Sequence, residues 1–435
     1  MPQENVVSKL LHDVPLPRMF LAKQKFETVQ IDCGEIEKVI LDQLNDVSYT
    51  RLIRPGMRIA ITCGSREIAN IVAITKTLVD YCLKHGAQPF IIASMGSHGG
   101  ATEQGQREIL AKYHITEETM GCPIKSRMDV VKIGQTDEGN DVYIGKDAAE
   151  ADGIIVCGRV KPHTCFRGPY ESGIMKMMTI GLGKQAGAAV CHEAGFRLMA
   201  HRIPLWGKAI LKNAPILFAL AILENANDQT AELVALHREE IIDKEPILLD
   251  RAKSYLPHLV IPETDVLVVD QIGKNFSGSG MDPNVTGTFL SPYASGGLKS
   301  KRVAILDISD ESHHSGVGMG MGHATTRRAF EKMDFDLTYP NLITSTLVEA
   351  ARIPMVMRND REALQLCVRT CPDADHDHIR IVRIMNSLRV RYICLSEVFL
   401  DEARQNDKLE ILTEPCEMDF DEDGNFRDLA AIGAG

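Results

Sequence analysis

Two histidines and a lysine lie in one glycine-rich segment of the sequence. His163 comes first, Lys176 follows the pair Ser172 and Gly173, and His192 comes later in the same segment. An imidazole takes up or releases a proton near neutral pH, and its neutral form is a common metal ligand. A lysine at a glycine-rich turn can bind phosphate or form a covalent link. The segment therefore combines residue types suited to acid–base, metal and covalent chemistry.

Further candidates are Arg66 and His98, which lie earlier in the sequence, and Lys184, which lies between Lys176 and His192. Arg66 follows the apolar run 57–63, and its guanidinium could hold a carboxylate through two parallel hydrogen bonds. His98 follows the run 90–94 and is surrounded by small residues, which leave open space and free backbone donors around an acid–base group. Lys184 follows a Gly-Leu-Gly turn and is another candidate for binding phosphate.

Each of these residues also has a purely structural interpretation. Arg66 could pair with an acid on the surface, His163 could be a solvated loop residue, and Lys176 could be an ordinary exposed lysine. His192 could lie on a helix surface, and His201 is a nearby rival as a metal ligand. The alternatives therefore stay open when the residues are considered one at a time.

The elements around these residues predict a parallel sheet. Apolar runs at 57–63, 90–94 and 153–160 are typical of buried strands, and a helical period is found over 68–85 and 103–113. Strands that alternate with helices at this spacing predict crossover connections. Because ligand sites in such sheets lie beyond the carboxyl ends of the strands, the arginine and two of the histidines fall where a site is expected.

The chain of 435 residues is long enough for at least two domains. We predict a first domain over 1–262 with a doubly wound, mostly parallel sheet, and a smaller α/β domain over 263–412. The acidic tail over 413–435 is expected to pack back onto the first domain. The segment 246–262 contains three prolines and is interpreted as the connection between the domains.

Two loops of the second domain are candidates for a function. Loop 274–284 follows an apolar strand and mixes the cation Lys274 with amides, hydroxyls and an acid, although a structural turn would need only its glycines. Loop 316–322 is glycine-rich and precedes a predicted helix over 323–333. It lacks the order of strand, glycines and helix, with a later acidic residue, that is typical of dinucleotide binding.

Composition limits the class of protein. The formal net charge of −11 disfavours nucleic acid and anionic membranes as partners. The 11 cysteines are scattered without zinc-site spacing, so we expect mostly buried, reduced thiols in a cytoplasmic protein. No run of the sequence resembles a signal peptide or reaches the length of a membrane span.

The order of the candidate residues resembles the nickel-dependent lactate racemase family, whose members racemise or epimerise hydroxy acids with a nickel-pincer nucleotide. The matching positions are Arg66, His98, the pair Pro162 and His163, the turn Ser172-Gly173 with Lys176, and His192. The interval from Lys176 to His192 is similar to that in the family. The segment 164–171 is longer than its counterpart in the best-known members.

This resemblance implies a role for each residue and an active site in the cleft between two α/β domains. His192 would bind nickel, and the cofactor itself would supply the soft donors. Lys176 would hold the nucleotide, with or without a covalent bond. The remaining implied roles are acid–base catalysis by His98 and His163, substrate binding by Arg66 and Lys274, and cofactor contacts from Ser172, Gly173 and Lys184.

The sequence thus predicts a racemase or epimerase of a small-molecule 2-hydroxy acid, which is either lactate-like or a larger polar hydroxy acid or sugar acid. One alternative is a nicotinamide-dependent hydroxyacid oxidoreductase, which would consume or release reduced nicotinamide. The other is a nickel- or nucleotide-binding protein without catalytic activity. A homo-oligomer is compatible with the sequence.

Overall fold

The computed structural model describes residues 6–26, 29–193 and 195–433. The chain divides into two compact units, one over 27–256 and one that combines the first 26 residues with 257–435. The strands are β1 (Met19–Gln24), β2 (Arg58–Cys63), β3 (Gln88–Ala93), β4 (Ile124–Lys125), β5 (Val130–Gln135), β6 (Asp141–Gly145), β7 (Gly153–Arg159), β8 (Ile216–Glu224), β9 (Thr230–His237), β10 (Glu263–Ile272), β11 (Lys299–Ile308), β12 (Ala324–Thr326), β13 (Met355–Met357), β14 (Ile381–Ile384), β15 (Tyr392–Ser396) and β16 (Leu409–Ile411).

The α-helices vary from single turns to about four turns. They are α1 (Val6–Leu11), α2 (Ile36–Leu44), α3 (Val47–Thr50), α4 (Ile71–Lys84), α5 (Glu103–Lys112), α6 (Glu117–Met120), α7 (Lys146–Ala149), α8 (Ile174–Lys176), α9 (Lys184–His192), α10 (Met199–Asn213), α11 (Ile241–Tyr255), α12 (Pro283–Thr286), α13 (Arg327–Lys332), α14 (Phe335–Ser345), α15 (Asp360–Arg369) and α16 (Leu400–Gln405).

The unit over 27–256 is built on a six-stranded sheet in the order β4-β3-β2-β7-β8-β9. Neighbouring strands from β4 to β8 are parallel, and β9 runs antiparallel to β8. The chain leaves β2 toward β3 on one side and returns to β7 on the other. The carboxyl ends of β2 and β7 therefore flank a topological switch point, where α/β sheets bind their ligands.

Helices cover both faces of this sheet because its central strands are apolar on both faces. In β2, Ile59 and Ile61 pack with apolar residues of α2 and α4, whereas Ala60 faces a core that includes Trp206 of α10 and Leu248 of α11. All of these side chains are almost fully buried. The predicted doubly wound, mostly parallel sheet is confirmed.

The connection predicted over 246–262 was wrong in its first part, since α11 continues to Tyr255 and contains Pro246. Leu248, Leu249 and Ala252 are buried in the core of the sheet. Packing of this apolar face outweighs the helix-breaking tendency of Pro246 in the second turn of the helix.

The second unit contains an eight-stranded mixed sheet in the order β13-β12-β11-β10-β14-β15-β1-β16. The strand β1 pairs antiparallel with both β15 and β16. Residues 19–24 therefore belong to the sheet of this unit, whereas the sequence predicts them in the first domain. The helix predicted over 323–333 is shorter, since 324–326 form β12 and the Thr326 side chain caps α13 at Ala329.

The acidic tail packs within the second unit, where the prediction had placed it on the first domain. Buried Arg383 donates hydrogen bonds to Asp270 at 2.8 and 2.9 Å and to Asp428 of the tail at 3.0 Å. The Phe426 ring lies 3.7 Å from the same guanidinium. A buried arginine is stable only when carboxylates neutralise it, and the tail supplies the second one.

The glycine-rich loop over 316–322 serves packing within its own unit. A side chain at Gly320 would collide with the carbonyl of Glu349, and one at Gly318 would collide with the carbonyl of Ser279. Among the described residues, no helix is both long and apolar enough to cross a membrane. All eleven cysteines are free thiols, and most are buried, as predicted.

Candidate functional site

The predicted residues of the first unit follow three adjacent parallel strands. Arg66 follows β2, His98 follows β3, and His163 follows β7, while these strands are neighbours in the order β3-β2-β7. The carboxyl ends of parallel strands meet at one edge of the sheet, so the three side chains share one region. Arg66 and His98 are exposed, and His163 is half-buried.

Lys176 lies within electrostatic reach of all these groups and of His192. Desolvation is the largest cause that lowers the pKa of His98 to about 4, and the positive charges of Arg66 and Lys176 act in the same direction. Desolvation also lowers the pKa values of His163 and His192, and the Lys176 charge is the second cause for both. Desolvation lowers the pKa of Lys176 itself to about 8, and the Arg66 charge acts in the same direction. The structure therefore brings the five predicted residues together.

A break in a helix brings Lys176 and His192 near each other. Lys176 ends α8, a π-helical segment spans Met177–Leu182, and His192 ends α9. Sixteen positions of straight helix would separate the two residues by roughly 24 Å. Instead, Lys184, the first residue of α9, adopts a left-handed conformation with φ of 53° shortly after the π segment. The chain turns there, and His192 returns toward Lys176.

A loop with two closely packed glycines carries His98. Gly96 and Gly99 both have positive φ, and a Cβ at Gly99 would lie 2.5 Å from the backbone of Gly105 in α5. The Ser65 hydroxyl hydrogen-bonds Nδ1 of His98. The Tyr113 hydroxyl donates a 3.2 Å hydrogen bond to the carbonyl of Ser65. The loop is therefore tightly packed, and Nε2 of His98 is the ring nitrogen left for a substrate.

Lys184 is connected to this loop through buried hydrogen bonds. The residue is buried, with 4% of its surface exposed. Its ammonium donates hydrogen bonds to the Ala93 carbonyl at 2.6 Å and to Oε1 of Gln106 at 3.0 Å. The Gln106 amide donates in turn to the carbonyls of Gly96 and His98. These contacts hold Lys184 under the loop that carries His98, and a cofactor contact for Lys184 stays a prediction.

The backbone around His163 is held from both sides. Its N–H donates to Oε2 of buried Glu171 at 2.8 Å, and Arg167 donates to its carbonyl at 2.5 Å. The backbone N–H of Cys165 donates to Nδ1 of the His163 ring at 3.0 Å. Lys161 and Ser172 pair as a β-bridge that closes this loop. The long segment 164–171 thus supplies the groups that hold His163.

The helix α8 is anchored by a carboxyl group that sequence reasoning missed. Oε2 of Glu245 accepts a 2.8 Å hydrogen bond from the backbone N–H of Met175. A side chain at Gly173 would collide with this carboxyl group, which explains the glycine beside Ser172. Desolvation raises the pKa of Glu245 to about 8. The signal in the sequence was an acid on the apolar face of a helix.

The donor set at His192 fits a cofactor that brings its own soft ligands. His192 is exposed, and its ring stands edge-on to Phe196 at 6.2 Å. Within the part of the chain that the structure describes, no group of three His, Cys, Asp or Glu side chains could hold a metal ion. The charge of Lys176 acts on His192, and the charges of Arg66 and Lys161 act on Lys176. One imidazole in such a cationic setting suits an anionic nucleotide that carries a metal.

Two other candidate residues have contacts of their own. The rival ligand His201 is exposed and pairs with Glu138 at 2.6 Å. Lys274 belongs to the other unit, where it is half-buried in the turn that follows β10. In that turn, Asn275 accepts a hydrogen bond from Ser309 at 2.9 Å. A substrate contact for Lys274 stays a prediction.

Comparison with known proteins points to one family for this part of the chain. Residues 10–201 match the family model of the lactate racemase N-terminal domain, which confirms the resemblance seen in the sequence. The match includes every candidate residue from Arg66 to His192. No curated protein matches the chain. Among solved structures, the lactate racemase apoprotein from Thermoanaerobacterium thermosaccharolyticum is similar over 62% of this chain and 67% of its own, with 16% identity and a TM-score of 0.43.

Proposed function

We propose that this chain, whose residues 10–201 match the lactate racemase N-terminal domain, is a racemase or epimerase of 2-hydroxy acids. The observation that supports this proposal most strongly is the grouping of Arg66, His98, His163 and His192 around Lys176 at one edge of a parallel sheet. A carboxylate-binding cation, two acid–base groups and a metal ligand are the set that such a reaction needs.

The proposed cofactor is a nickel-pincer nucleotide held by residues of the first unit. His192 would bind the nickel ion as a neutral imidazole, and Lys176 would hold the nucleotide by charge or by a covalent bond. Lys161 adds a positive charge on the same side. When bound, this group supplies a reversible hydride acceptor.

The protein's own residues bind and orient the acid. The planar guanidinium of Arg66 would hold the substrate carboxylate through two parallel hydrogen bonds, and Lys274 is a proposed second contact. A substrate held in this way reacts with the neighbouring groups in an effectively unimolecular step. His98 and His163 would supply the acid–base groups for the hydroxyl proton, and desolvation lowers the pKa of both imidazoles.

The experiment that tests this proposal uses protein produced together with the enzymes that synthesise the cofactor. We expect nickel in the purified protein, an absorption band of the cofactor, and loss of optical purity when single enantiomers of 2-hydroxy acids are added. Nickel-loaded protein that racemises no acid, or that forms reduced nicotinamide in step with a keto acid, would overturn the proposal.

A further inference from the structure

Pro246 leaves one backbone carbonyl of α11 without its helical partner. In an α-helix the N–H of each residue donates to the carbonyl four positions earlier, and a proline has no N–H. The carbonyl that would pair with residue 246 belongs to Ile242. The Tyr170 hydroxyl, which comes from outside the helix, donates to this carbonyl at 2.7 Å. The proline therefore opens an acceptor on α11, and the loop that follows His163 uses it.

The Tyr170 ring is buried in the core of the first unit. The residue is 6% exposed and belongs to the same apolar cluster as Ile174, Met175 and Leu249. A buried hydroxyl or carbonyl that lacks a hydrogen-bond partner is costly, so the phenol and the freed carbonyl satisfy each other. One contact thus accounts for both the proline inside the helix and the buried tyrosine.

Glu245, the residue before this proline, makes a second contact with the same part of the chain. Its Oε2 accepts the 2.8 Å hydrogen bond from the backbone N–H of Met175. Glu245 is 1% exposed, and a Cβ at Gly173 would collide with its carboxyl group. Lys176 follows Met175 directly and ends α8. Glu245 therefore fixes the start of the short helix that carries Lys176.

A third contact connects α11 to the loop of His163. Nζ of Lys253 lies 3.4 Å from Oε1 of Glu171, whose other carboxylate oxygen accepts the hydrogen bond from the His163 N–H. Positions 242, 245 and 253 lie on one side of the helix, since their directions fall within about 80° at roughly 100° per residue. One face of α11 therefore contacts this part of the chain over roughly 16 Å of helix length.

We propose that Tyr170 and Glu245 are positioning residues for the racemase or epimerase reaction proposed above, on which this inference rests. Through them, α11 holds the chain between His163 and Lys176 in one arrangement. Pro246 keeps a carbonyl of that helix open to Tyr170.

The two positioning residues act through different neighbours. Tyr170 acts through the loop of His163, and Glu245 acts through α8 on Lys176. Such contacts matter because a displacement of about 1 Å in a reacting or binding group can cost roughly 100-fold in rate. Loss of either contact should therefore loosen the segment 163–176 and slow turnover.

The first test measures the contact between the phenol and the freed carbonyl in full-length protein without cofactor. Tyr170→Phe removes the donor, and Pro246→Ala supplies an N–H within the helix. In the wild-type background, Tyr170→Phe leaves a buried carbonyl unsatisfied, whereas in the Pro246→Ala background the helix satisfies it. We therefore expect Tyr170→Phe to lower the urea midpoint of unfolding in the wild type and to lower it much less in Pro246→Ala. Equal shifts in both backgrounds would overturn the role of Pro246.

The second test separates positioning from global stability, again without cofactor. Hydrogen exchange measured by mass spectrometry follows peptides over 163–176 and, as a reference in the same unit, peptides over 71–84 of α4. We expect Tyr170→Phe and Glu245→Met to raise exchange over 163–176 by about tenfold, with the reference unchanged. Glu245→Gln keeps a side-chain oxygen for Met175 and should remain close to wild type. Unchanged exchange over 163–176, or an equal rise in both segments, would overturn the proposal.

The third test measures catalysis per bound nickel in protein produced with the cofactor-synthesis enzymes. We expect kcat to fall about tenfold in Tyr170→Phe and Glu245→Met, while KM for the hydroxy acid changes less than about twofold. Tyr255→Phe is the matched control, because its phenol bonds Glu232, and it should keep the wild-type kcat. Full kcat in Tyr170→Phe and Glu245→Met would overturn the positioning roles.

Failure of this inference and failure of the proposed function give different results. If the wild type racemises no acid, the proposed function fails and the positioning roles in catalysis fail with it. The unfolding cycle and the exchange measurements, which need neither cofactor nor substrate, still decide whether α11 holds the segment 163–176.

Discussion

Nζ of Lys184 lies 3.0 Å from Oε1 of Gln106, and both residues are buried below the loop that carries His98. Lys184 begins the helix that ends at His192, and Gln106 belongs to α5. This hydrogen bond joins the helix that ends at the proposed nickel ligand to α5, and the Gln106 amide donates in turn to the carbonyls of Gly96 and His98 in the loop with the proposed base.

Replacing this lysine should affect both stability and activity. In Lys184→Met the Ala93 carbonyl and Gln106 lose a buried partner, so we expect a loss of about 1–3 kcal/mol in urea unfolding. Turnover should fall more than KM rises, because His98 is displaced while Arg66 stays in place. Lys208→Met, at an exposed position of α10, is the matched control and should behave as wild type in both measurements.

The buried Glu245 should make stability depend on pH. Its folded pKa of about 8 lies above the ordinary value, so the folded state binds more protons between these two values. Stability is therefore full below about pH 4.5 and falls as pH rises toward 8, by at most about 1.4 kcal/mol per pH unit. The difference in unfolding free energy between wild type and Glu245→Gln, measured from pH 5 to 8, isolates this group. A difference that is constant with pH would contradict the assignment.

Removal of His192 should release nickel without unfolding the protein, since the side chain is exposed. We expect His192→Ala, purified after coproduction with cofactor-synthesis enzymes, to contain far less nickel by elemental analysis than wild type. His201→Ala removes the other nearby histidine, which pairs with Glu138, and should keep its nickel. If His192→Ala kept its nickel and His201→Ala lost it, His201 would be the nickel ligand.

Arg66 should act on substrate binding. Arg66→Lys keeps the charge but loses the two parallel hydrogen bonds to a carboxylate. We expect KM for the hydroxy acid to rise by about tenfold, which corresponds to about 1.4 kcal/mol, and a larger rise in Arg66→Ala. Steady-state kinetics of both variants gives the comparison. An unchanged KM in Arg66→Ala would show that another cation binds the substrate carboxylate.

Much of the first unit could be predicted from local patterns. The apolar runs of β2, β3 and β7 are buried on both faces, and this makes them recognisable as central parallel strands. Arg66, His98 and His163 were found because they follow these strands. Segments whose structure depends on distant packing were predicted less well, including the helix through Pro246 and the pairing of β1 with β15 and β16.

The sequence by itself determined which residue types stand at the strand ends and in which order. Only the tertiary structure decided how they are oriented. The bond from Cys165 to His163, the Ser65 partner of His98 and the carboxyl group of Glu245 under α8 follow from contacts that no periodicity or spacing encodes. The physical reason is that hydrogen-bond direction depends on angles and distances between elements, which the packed core sets after the chain has folded.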